Sequence, residues 1–232
     1  MRLYLVRHGQ TASNVGGYLD TTVPGAPLND LGRQQAGLLV DALDGLPLEA
    51  IYASTQQRAQ QTAAPLAASR GLDVLVREGL REIAAGELEM RNDEEAVRTY
   101  FRGFGAFAGG DLEASMPGGE TGAGVLGRFD AVVREIASRG LEAAAIVSHG
   151  AMLRTWSGYH CSNLDVDFVL RNPLTNTGVV VVDGDPESGW RADTWIGEPV
   201  LSPEEDAGPT GESVGDAVED AGERGERGDR GF

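Results

Sequence analysis

Residues 3–14 read LYLVRHGQTASN, so that a short apolar run ends directly in Arg7, His8 and Gly9. A continuous apolar run of this length is typical of a strand buried on both faces of a parallel sheet. Its end would place a guanidinium group and an imidazole at the carboxyl edge of the sheet, where open α/β proteins bind ligands. Gly9 would let the backbone pass close to a bound group. On its own, the run is equally compatible with a surface arginine and a histidine that caps the strand.

The same order of residue types occurs a second time at residues 144–150, which read AAIVSHG. There an apolar run ends in Ser148, His149 and Gly150, and the whole chain contains only three histidines. If the two strands are neighbours in a parallel sheet, their carboxyl ends meet and the two imidazoles converge. The repetition therefore favours a functional interpretation of His8 and His149.

Other segments alternate between strand-like and helix-like patterns. Apolar runs at 50–53 and 178–182 predict two more buried strands, and apolar residues at helical spacing predict helices within 31–43, 57–69 and 125–136. Asn29 or Asp30 would cap the first of these helices. The alternation predicts an α/β domain over residues 1–200 with a mainly parallel sheet.

Two segments do not follow this alternation. Residues 87–118 show no clean period and contain Phe101, Phe104 and Phe107, half of the six phenylalanines. We expect this segment to be a partly helical lid insertion over the main domain. Residues 201–232 are acidic and glycine-rich with almost no large apolar side chains, so we expect a disordered tail.

Composition limits the partners of the chain. A formal net charge of −17 and a pI near 4.5 argue against nucleic acid, and they require that any site for an anion carries its own positive charge. No apolar stretch reaches the roughly 18 residues of a membrane span, and the first apolar run is too short for a secretion signal. Cys161 is the only cysteine, which excludes an internal disulfide and suits a reducing compartment. We therefore expect a cytoplasmic protein with no membrane partner.

Four short motifs occur in the order found in one known family. They are VRHG at 6–9 with Thr11 and Asn14, Arg58 with Ala59 and Thr62, LRE at 80–82 with Gly86, and SHG at 148–150. Over about residues 2–183 the chain thus resembles the histidine phosphatase superfamily, which includes cofactor-dependent phosphoglycerate mutases. The resemblance implies a phosphoglycerate mutase-like fold, a three-layer α/β/α architecture around a mainly parallel central sheet.

The resemblance also implies a role for each motif residue. His8 would be the nucleophile that takes the phosphoryl group, and Glu82 would be the proton donor. The phosphoryl oxygens would be bound by Arg7, Arg58 and His149, and Asn14 matches a further polar contact with phosphate. The expected substrate-binding set also contains Gly9, Thr11, Gly150, Glu120 and Thr121, the last two from a turn at 117–121 that begins a helix near the site in the family.

Phosphoryl transfer by these residues is chemically reasonable. Neutral imidazole is a competent nucleophile near pH 7. Transfer then needs positioning and neutralisation of the charge on the phosphoryl oxygens, for which planar guanidinium groups are well suited. Arg7 and Arg58 would also provide the local positive charge that the acidic surface makes necessary. We expect no cofactor and no metal, since the adjacent His160 and Cys161 lack a second spaced pair of ligands.

Some of these residues also have a plain structural interpretation. Arg58 would then be a solvated residue of a helix, and Asn14 a turn or helix-capping residue. Glu87 lies close enough in sequence to compete with Glu82 for the role of proton donor.

The substrate is less well determined by the sequence than the chemistry. Mutases similar to this chain carry an Arg-His-Tyr-Gly run after the donor glutamate, whereas residues 83–90 here read IAAGELEM. We therefore expect a phosphomonoesterase for a small phosphorylated metabolite, acting as a monomer or homodimer. The alternatives are a phosphoglycerate mutase-type phosphotransferase and a non-catalytic module that binds phosphorylated ligands.

The predicted lid would select the substrate. Arg98 and Arg102 are available to a second anionic group of the ligand. Tyr100 and the neighbouring phenylalanines would form either an apolar wall of the site or part of the core.

Overall fold

A seven-stranded sheet runs through the structure, a computed structural model that describes residues 1–200. Its strands are β1 (Arg2–Arg7), β2 (Ala50–Ser54), β3 (Val74–Arg77), β4 (Ala143–Ser148), β5 (Val179–Asp185), β6 (Gly189–Trp195) and β7 (Glu198–Pro199). The spatial order is β3-β2-β4-β1-β5-β6-β7, with parallel pairing from β3 to β1 and antiparallel pairing from β1 to β7. The expectation of a disordered tail at 201–232 lies outside the described residues.

Seven α-helices lie within residues 1–200, and several of them begin or end at residues with suitable capping chemistry. They are α1 (Ala12–Gly16), α2 (Asp30–Ala42), α3 (Gln57–Arg70), α4 (Glu94–Ala108), α5 (Gly122–Ser138), α6 (Gly150–His160) and α7 (Val166–Arg171). Asn29 caps α2, because its side chain accepts a hydrogen bond from the Gly32 N–H at 2.8 Å. Gly71 ends α3 in the left-handed region at φ 64°. Within residues 1–200, none of these helices has the length and apolar character that crossing a bilayer requires.

Side chains of β1 alternate between two hydrophobic cores, one on each face of the sheet. Leu3 and Leu5 belong to the core that also contains residues of α4, α5 and α6, whereas Tyr4 and Val6 belong to the core that contains residues of α2 and α3. Helices therefore cover both faces of the sheet, and the predicted three-layer α/β/α architecture is confirmed.

The two histidine motifs follow neighbouring strands. β1 and β4 pair in parallel with Val6 opposite Val147, and the His8 N–H donates a hydrogen bond to the Ser148 carbonyl at 3.0 Å. The loops that begin at His8 and His149 thus leave the same edge of the sheet. β2 pairs with the other side of β4 and leads directly into α3, which carries Arg58 to that edge.

Most of the predicted elements are present. The four apolar runs form β1, β2, β4 and β5, the three helical patterns lie in α2, α3 and α5, and the segment 87–118 contains α4. The sequence patterns did not predict the strands β3, β6 and β7, nor the helices α1, α6 and α7.

Candidate active site

Both imidazoles and two guanidinium groups converge at the carboxyl edge of the sheet. The rings of His8 and His149 are 5.1 Å apart between centroids, and both side chains are buried. The Arg58 Nε–H donates a hydrogen bond to His8 Nε2 at 3.1 Å. Arg7, His8 and Arg58 line a cavity of about 220 Å³, and His149 packs behind His8 without lining it. The structure therefore brings together residues that are more than 140 positions apart in the chain.

The hydrogen bonds of His8 determine which of its nitrogens carries the proton. Nδ1 lies 2.7 Å from the Gly9 carbonyl, and since a carbonyl can only accept, the proton is assigned to Nδ1. Nε2 then holds the lone pair and accepts the hydrogen bond from Arg58. Burial, and after it the charges of Arg58 and Arg7, lowers the pKa of His8 well below its usual range. His8 is thus a neutral imidazole whose Nε2 carries no proton and has its lone pair on the side of Arg58.

His149 is held by a chain of hydrogen bonds through Ser54 and Gln56. The Ser54 hydroxyl donates to Gln56 Oε1 at 3.1 Å, so the His149 Nε2–H is assigned as the donor to Ser54 Oγ at 2.8 Å. Gln56 Oε1 also accepts from the backbone N–H of Glu82 at 2.9 Å. Among residues 1–200, His149 Nδ1 is buried and has no hydrogen-bond partner. Burial, followed by the charge of Arg58, lowers the pKa of His149 well below its usual range.

Hydrogen bonds hold the side chains of Arg7 and Arg58, but each side chain has an N–H group without a hydrogen-bond partner among residues 1–200. Arg7 Nη1 donates to the Leu174 carbonyl, and Arg58 Nη2 donates to the Asp20 carbonyl at 2.8 Å. Arg7 Nε and Arg58 Nη1 are buried without a hydrogen-bond partner in the described part of the chain, although the Asp20 carboxylate is 3.7 Å from Arg58 Nη1. Unpaired buried donors carry a free-energy cost of about 1–3 kcal/mol each. An anion in the cavity would remove part of that cost.

Glu82 lines the same cavity and lies beside the N-terminus of α6. Its Oε1 accepts hydrogen bonds from the N–H groups of Ile83 and Met152, both at 2.9 Å, and its Oε2 accepts one from Ala151 at 3.2 Å. The exposed Glu87 does not line the cavity. Of the two candidates, only Glu82 therefore lies in the cavity with His8.

The predicted lid aromatics belong to both the core and the site. Tyr100 and Phe104 are buried, yet they line the cavity together with the more exposed Phe101. The Tyr100 hydroxyl donates to the Ile83 carbonyl at 2.8 Å, which connects α4 to the segment that carries Glu82. Phe107 lies only in the core.

Sequence reasoning missed several residues that line the cavity. They are Tyr18, Leu19, Asp20, Thr21, Ala151, Arg154, Pro173 and Leu174. Of these, Arg154 had a local signal: it lies four positions after Gly150 in α6, and residues at that spacing share one face of a helix. Ala151 directly follows Gly150 in α6, and the remaining six residues come from loops that reach the site only through the tertiary fold.

Some residues expected to bind the substrate have a different place in the structure. Glu120 lies outside the cavity and accepts hydrogen bonds from Arg81 at 2.9 Å and from Arg128 at 2.8 Å. Thr121 caps α5 through a hydrogen bond with the Gly124 N–H at 3.2 Å. These two residues thus bind protein groups that lie away from His8.

Thr11 and Gly9 also have structural roles, in helix capping and in close backbone packing. Thr11 caps α1, and Asn14, which does line the cavity, completes that capping box. A Cβ on Gly9 would lie 2.6 Å from the Gly32 carbonyl oxygen, so the glycine permits the close approach of α2. Gly150 lines the cavity, and a Cβ there would lie 3.2 Å from Arg7 Nε.

Two more expectations concern charged groups and metals. Arg98 and Arg102 lie on the exposed side of α4 and do not line the cavity that contains His8. His160 lies 2.9 Å from the Asp130 carboxylate, whereas Cys161 is buried. Within residues 1–200, no three His, Cys, Asp or Glu side chains are grouped so that they could hold a metal ion.

The protonation of the histidines can be measured directly. We expect the ¹⁵N spectrum of His8 to show neutral imidazole with the proton on Nδ1 at pH 6.0, because burial and two neighbouring cations oppose a second proton. Three histidines make assignment simple, since the His8 signals are those that a His8→Asn variant loses. If the ¹⁵N signals of His8 titrate with a midpoint at or above the ordinary histidine pKa of about 6.5, this electrostatic description of the site is wrong.

The chain is similar to known proteins in both sequence and structure. Residues 3–197 match the family profile described as histidine phosphatase superfamily (branch 1). PE-PGRS family protein PE_PGRS11 of Mycobacterium tuberculosis is 36% identical over 213 residues, which are 84% of this chain but only 36% of that protein. Phosphoserine phosphatase 1 of Hydrogenobacter thermophilus is 30% identical over 169 residues, or 72% of this chain and 78% of that protein. The mycobacterial glucosyl-3-phosphoglycerate phosphatase, solved in complex with VO3, aligns with a TM-score of 0.72 and 26% identity over 84% of this chain and 98% of its own.

Proposed function

Since this chain belongs to the histidine phosphatase superfamily, we propose that it is a metal-independent phosphomonoesterase for a small phosphorylated metabolite. The observation that carries the proposal is the lone pair of His8 Nε2 in a cavity that also contains two guanidinium groups and the Glu82 carboxyl group. A nucleophile, charge neutralisation and a proton donor are the three requirements of phosphoryl transfer to a side chain.

In the first step, His8 Nε2 attacks the phosphorus atom of the ester. The P–N bond forms as the P–O bond to the leaving alcohol breaks, and protonated Glu82 transfers its proton to the leaving oxygen. Arg58 Nε–H, which now bonds to Nε2, would transfer its hydrogen bond to a phosphoryl oxygen when Nε2 becomes bonded to phosphorus. The unpaired N–H groups of Arg7 and Arg58 would neutralise the remaining negative charge.

In the second step, water attacks the phosphohistidine. Ionised Glu82 takes a proton from that water, the P–N bond breaks, and the electron pair returns to His8 Nε2. The three backbone N–H groups that bond to Glu82 hold its carboxylate in place for this role. Glu82 is thereby returned to the protonated form, and inorganic phosphate is released.

Two features favour hydrolysis over the alternatives. The segment 83–90, which follows the proton donor, has no cationic side chain to hold a phosphoglycerate for rephosphorylation. A module that only binds phosphorylated ligands has no need of a carboxyl group such as that of Glu82, which lines the same cavity as His8.

The reaction class is testable with an aryl phosphate. We expect 4-nitrophenyl phosphate to be hydrolysed at the same rate with and without EDTA, because Arg7 and Arg58 supply the positive charge that a metal ion would otherwise provide. Loss of activity in EDTA that zinc restores would contradict the proposal. Incubation with 3-phosphoglycerate and 2,3-bisphosphoglycerate should release inorganic phosphate, whereas formation of 2-phosphoglycerate would support the mutase alternative.

A further inference from the structure

Arg154 is a buried cation of the cavity that the proposed chemistry does not use. It lies in α6, it is 5% exposed, and it lines the same cavity as His8 and Glu82. Its Nε–H donates to the Val169 carbonyl at 2.6 Å, and its Nη2 donates to the Leu170 carbonyl at 2.9 Å. These two bonds to the last turn of α7 fix the plane of the guanidinium group.

Two aromatic rings complete the surroundings of this guanidinium group. Its central carbon lies 4.9 Å from the ring centroid of Phe104 and 5.6 Å from that of Phe101. Both rings line the cavity, so the cation lies against an apolar wall of the site. Such a wall lowers the local polarity and strengthens the attraction between the cation and any anion that reaches it.

In the part of the chain that the structure describes, no acid forms a direct ion pair with Arg154, although the charge of Glu82 across the cavity partly offsets the effect of burial on the pKa of Arg154. In the described residues it forms no salt bridge, and its Nη1 makes no hydrogen bond. The two carboxylates that line the cavity have other partners. Asp20 lies beside Arg58, and Glu82 accepts hydrogen bonds from N–H groups of α6. Burial, and after it the charge of Arg7, lowers the pKa of Arg154 to about 10, so the side chain remains charged at neutral pH.

We propose that Arg154 binds a carboxylate of the substrate, so that the enzyme selects small phosphate monoesters that also carry a carboxylic acid. The proposal rests on the proposed function, because the phosphoryl end of the same molecule must reach Arg7, His8 and Arg58. One guanidinium group beside two phenyl rings matches a single negative charge. A second phosphoryl group would bring two charges to one cation beside an apolar wall, which is unfavourable.

The kinetic test uses two esters that differ at one carbon. 3-Phosphoglycerate carries a carboxylate where glycerol 3-phosphate carries a hydroxymethyl group. We expect the wild-type kcat/KM to be at least about tenfold higher for 3-phosphoglycerate, since hydrogen bonds between charged groups are among the stronger ones in proteins. In Arg154→Met this preference should fall to within about twofold, and the loss should be mainly in KM. The control Arg98→Gln changes an exposed arginine of α4 outside the cavity and should keep the preference.

A binding experiment on the wild-type chain needs no variant and no turnover. Calorimetry should show that 2-carboxyethylphosphonate binds at least about tenfold more tightly than propylphosphonate, which lacks the carboxylate. Equal affinities, or an undiminished preference in a folded Arg154→Met variant, would overturn the role of Arg154. Failure to hydrolyse any phosphate ester would instead contradict the proposed function, while the phosphonate pair would still decide whether the carboxylate is bound.

Discussion

His8→Ala should reduce turnover of 4-nitrophenyl phosphate by at least about 10⁴-fold, because the variant has no nitrogen to attack phosphorus. Loss of a catalytic nucleophile in a hydrolase can cost as much as about 10⁶-fold in kcat. Substrate binding should weaken much less, because Arg7 and Arg58 remain in the cavity. The measurement is steady-state release of 4-nitrophenol by variants with matched far-UV circular dichroism spectra.

The chain offers a matched control for this substitution. His160→Ala removes a partly buried imidazole that pairs with Asp130 and does not line the cavity. We expect that variant to keep the wild-type rate. Similar losses in both variants would indicate a general effect on folding, and ordinary turnover by His8→Ala would refute the assignment of the nucleophile.

Glu82→Gln should slow hydrolysis of alkyl phosphates by about 10²–10⁴-fold, the usual effect of removing a general acid. The amide has the same shape but has no acidic proton to give to the leaving oxygen. With 4-nitrophenyl phosphate the first step should be much less affected, because 4-nitrophenolate leaves without protonation. The second step still needs a base, so a burst of 4-nitrophenol should precede slow turnover.

The matched control for Glu82→Gln is the same substitution at Glu87, the other candidate for the proton donor. Glu87→Gln changes an exposed carboxylate outside the cavity and should retain the wild-type rate with both kinds of ester. If Glu87→Gln shows the large loss and Glu82→Gln does not, the assignment based on the cavity is incorrect.

The central strands of the sheet could be predicted because each is recognisable from a short stretch of consecutive residues. β1 and β4 are buried on both faces, so their continuous apolar runs predict strands, and the motif residues follow at once. The pairing of β1 with β4 then brings the imidazoles of His8 and His149 together. Strand β6 has no continuous apolar run: its buried residues alternate with exposed ones such as Arg191, which is the pattern of a strand buried on one face only.

The parts of the site that could not be predicted depend on tertiary contacts. Asp20 approaches Arg58 from a loop, and no periodic pattern indicates that contact. Glu120 was expected near the substrate, but Arg81 and Arg128 offer it charged hydrogen bonds that only the folded chain reveals. Arg98 and Arg102 were plausible anion ligands by sequence, yet the face of α4 that packs on the domain carries the aromatic residues instead.

The phosphoenzyme provides the most direct test of His8 as the point of covalent attachment. Glu82→Gln, quenched during turnover of 4-nitrophenyl phosphate, should contain one phosphoryl group that is stable to alkali and labile to acid, as expected for a phosphorus–nitrogen bond. Mass spectrometry of the peptide that contains residues 3–14 should locate this group on His8. Turnover without a phosphorylated protein, or a label on a different residue, would contradict the account.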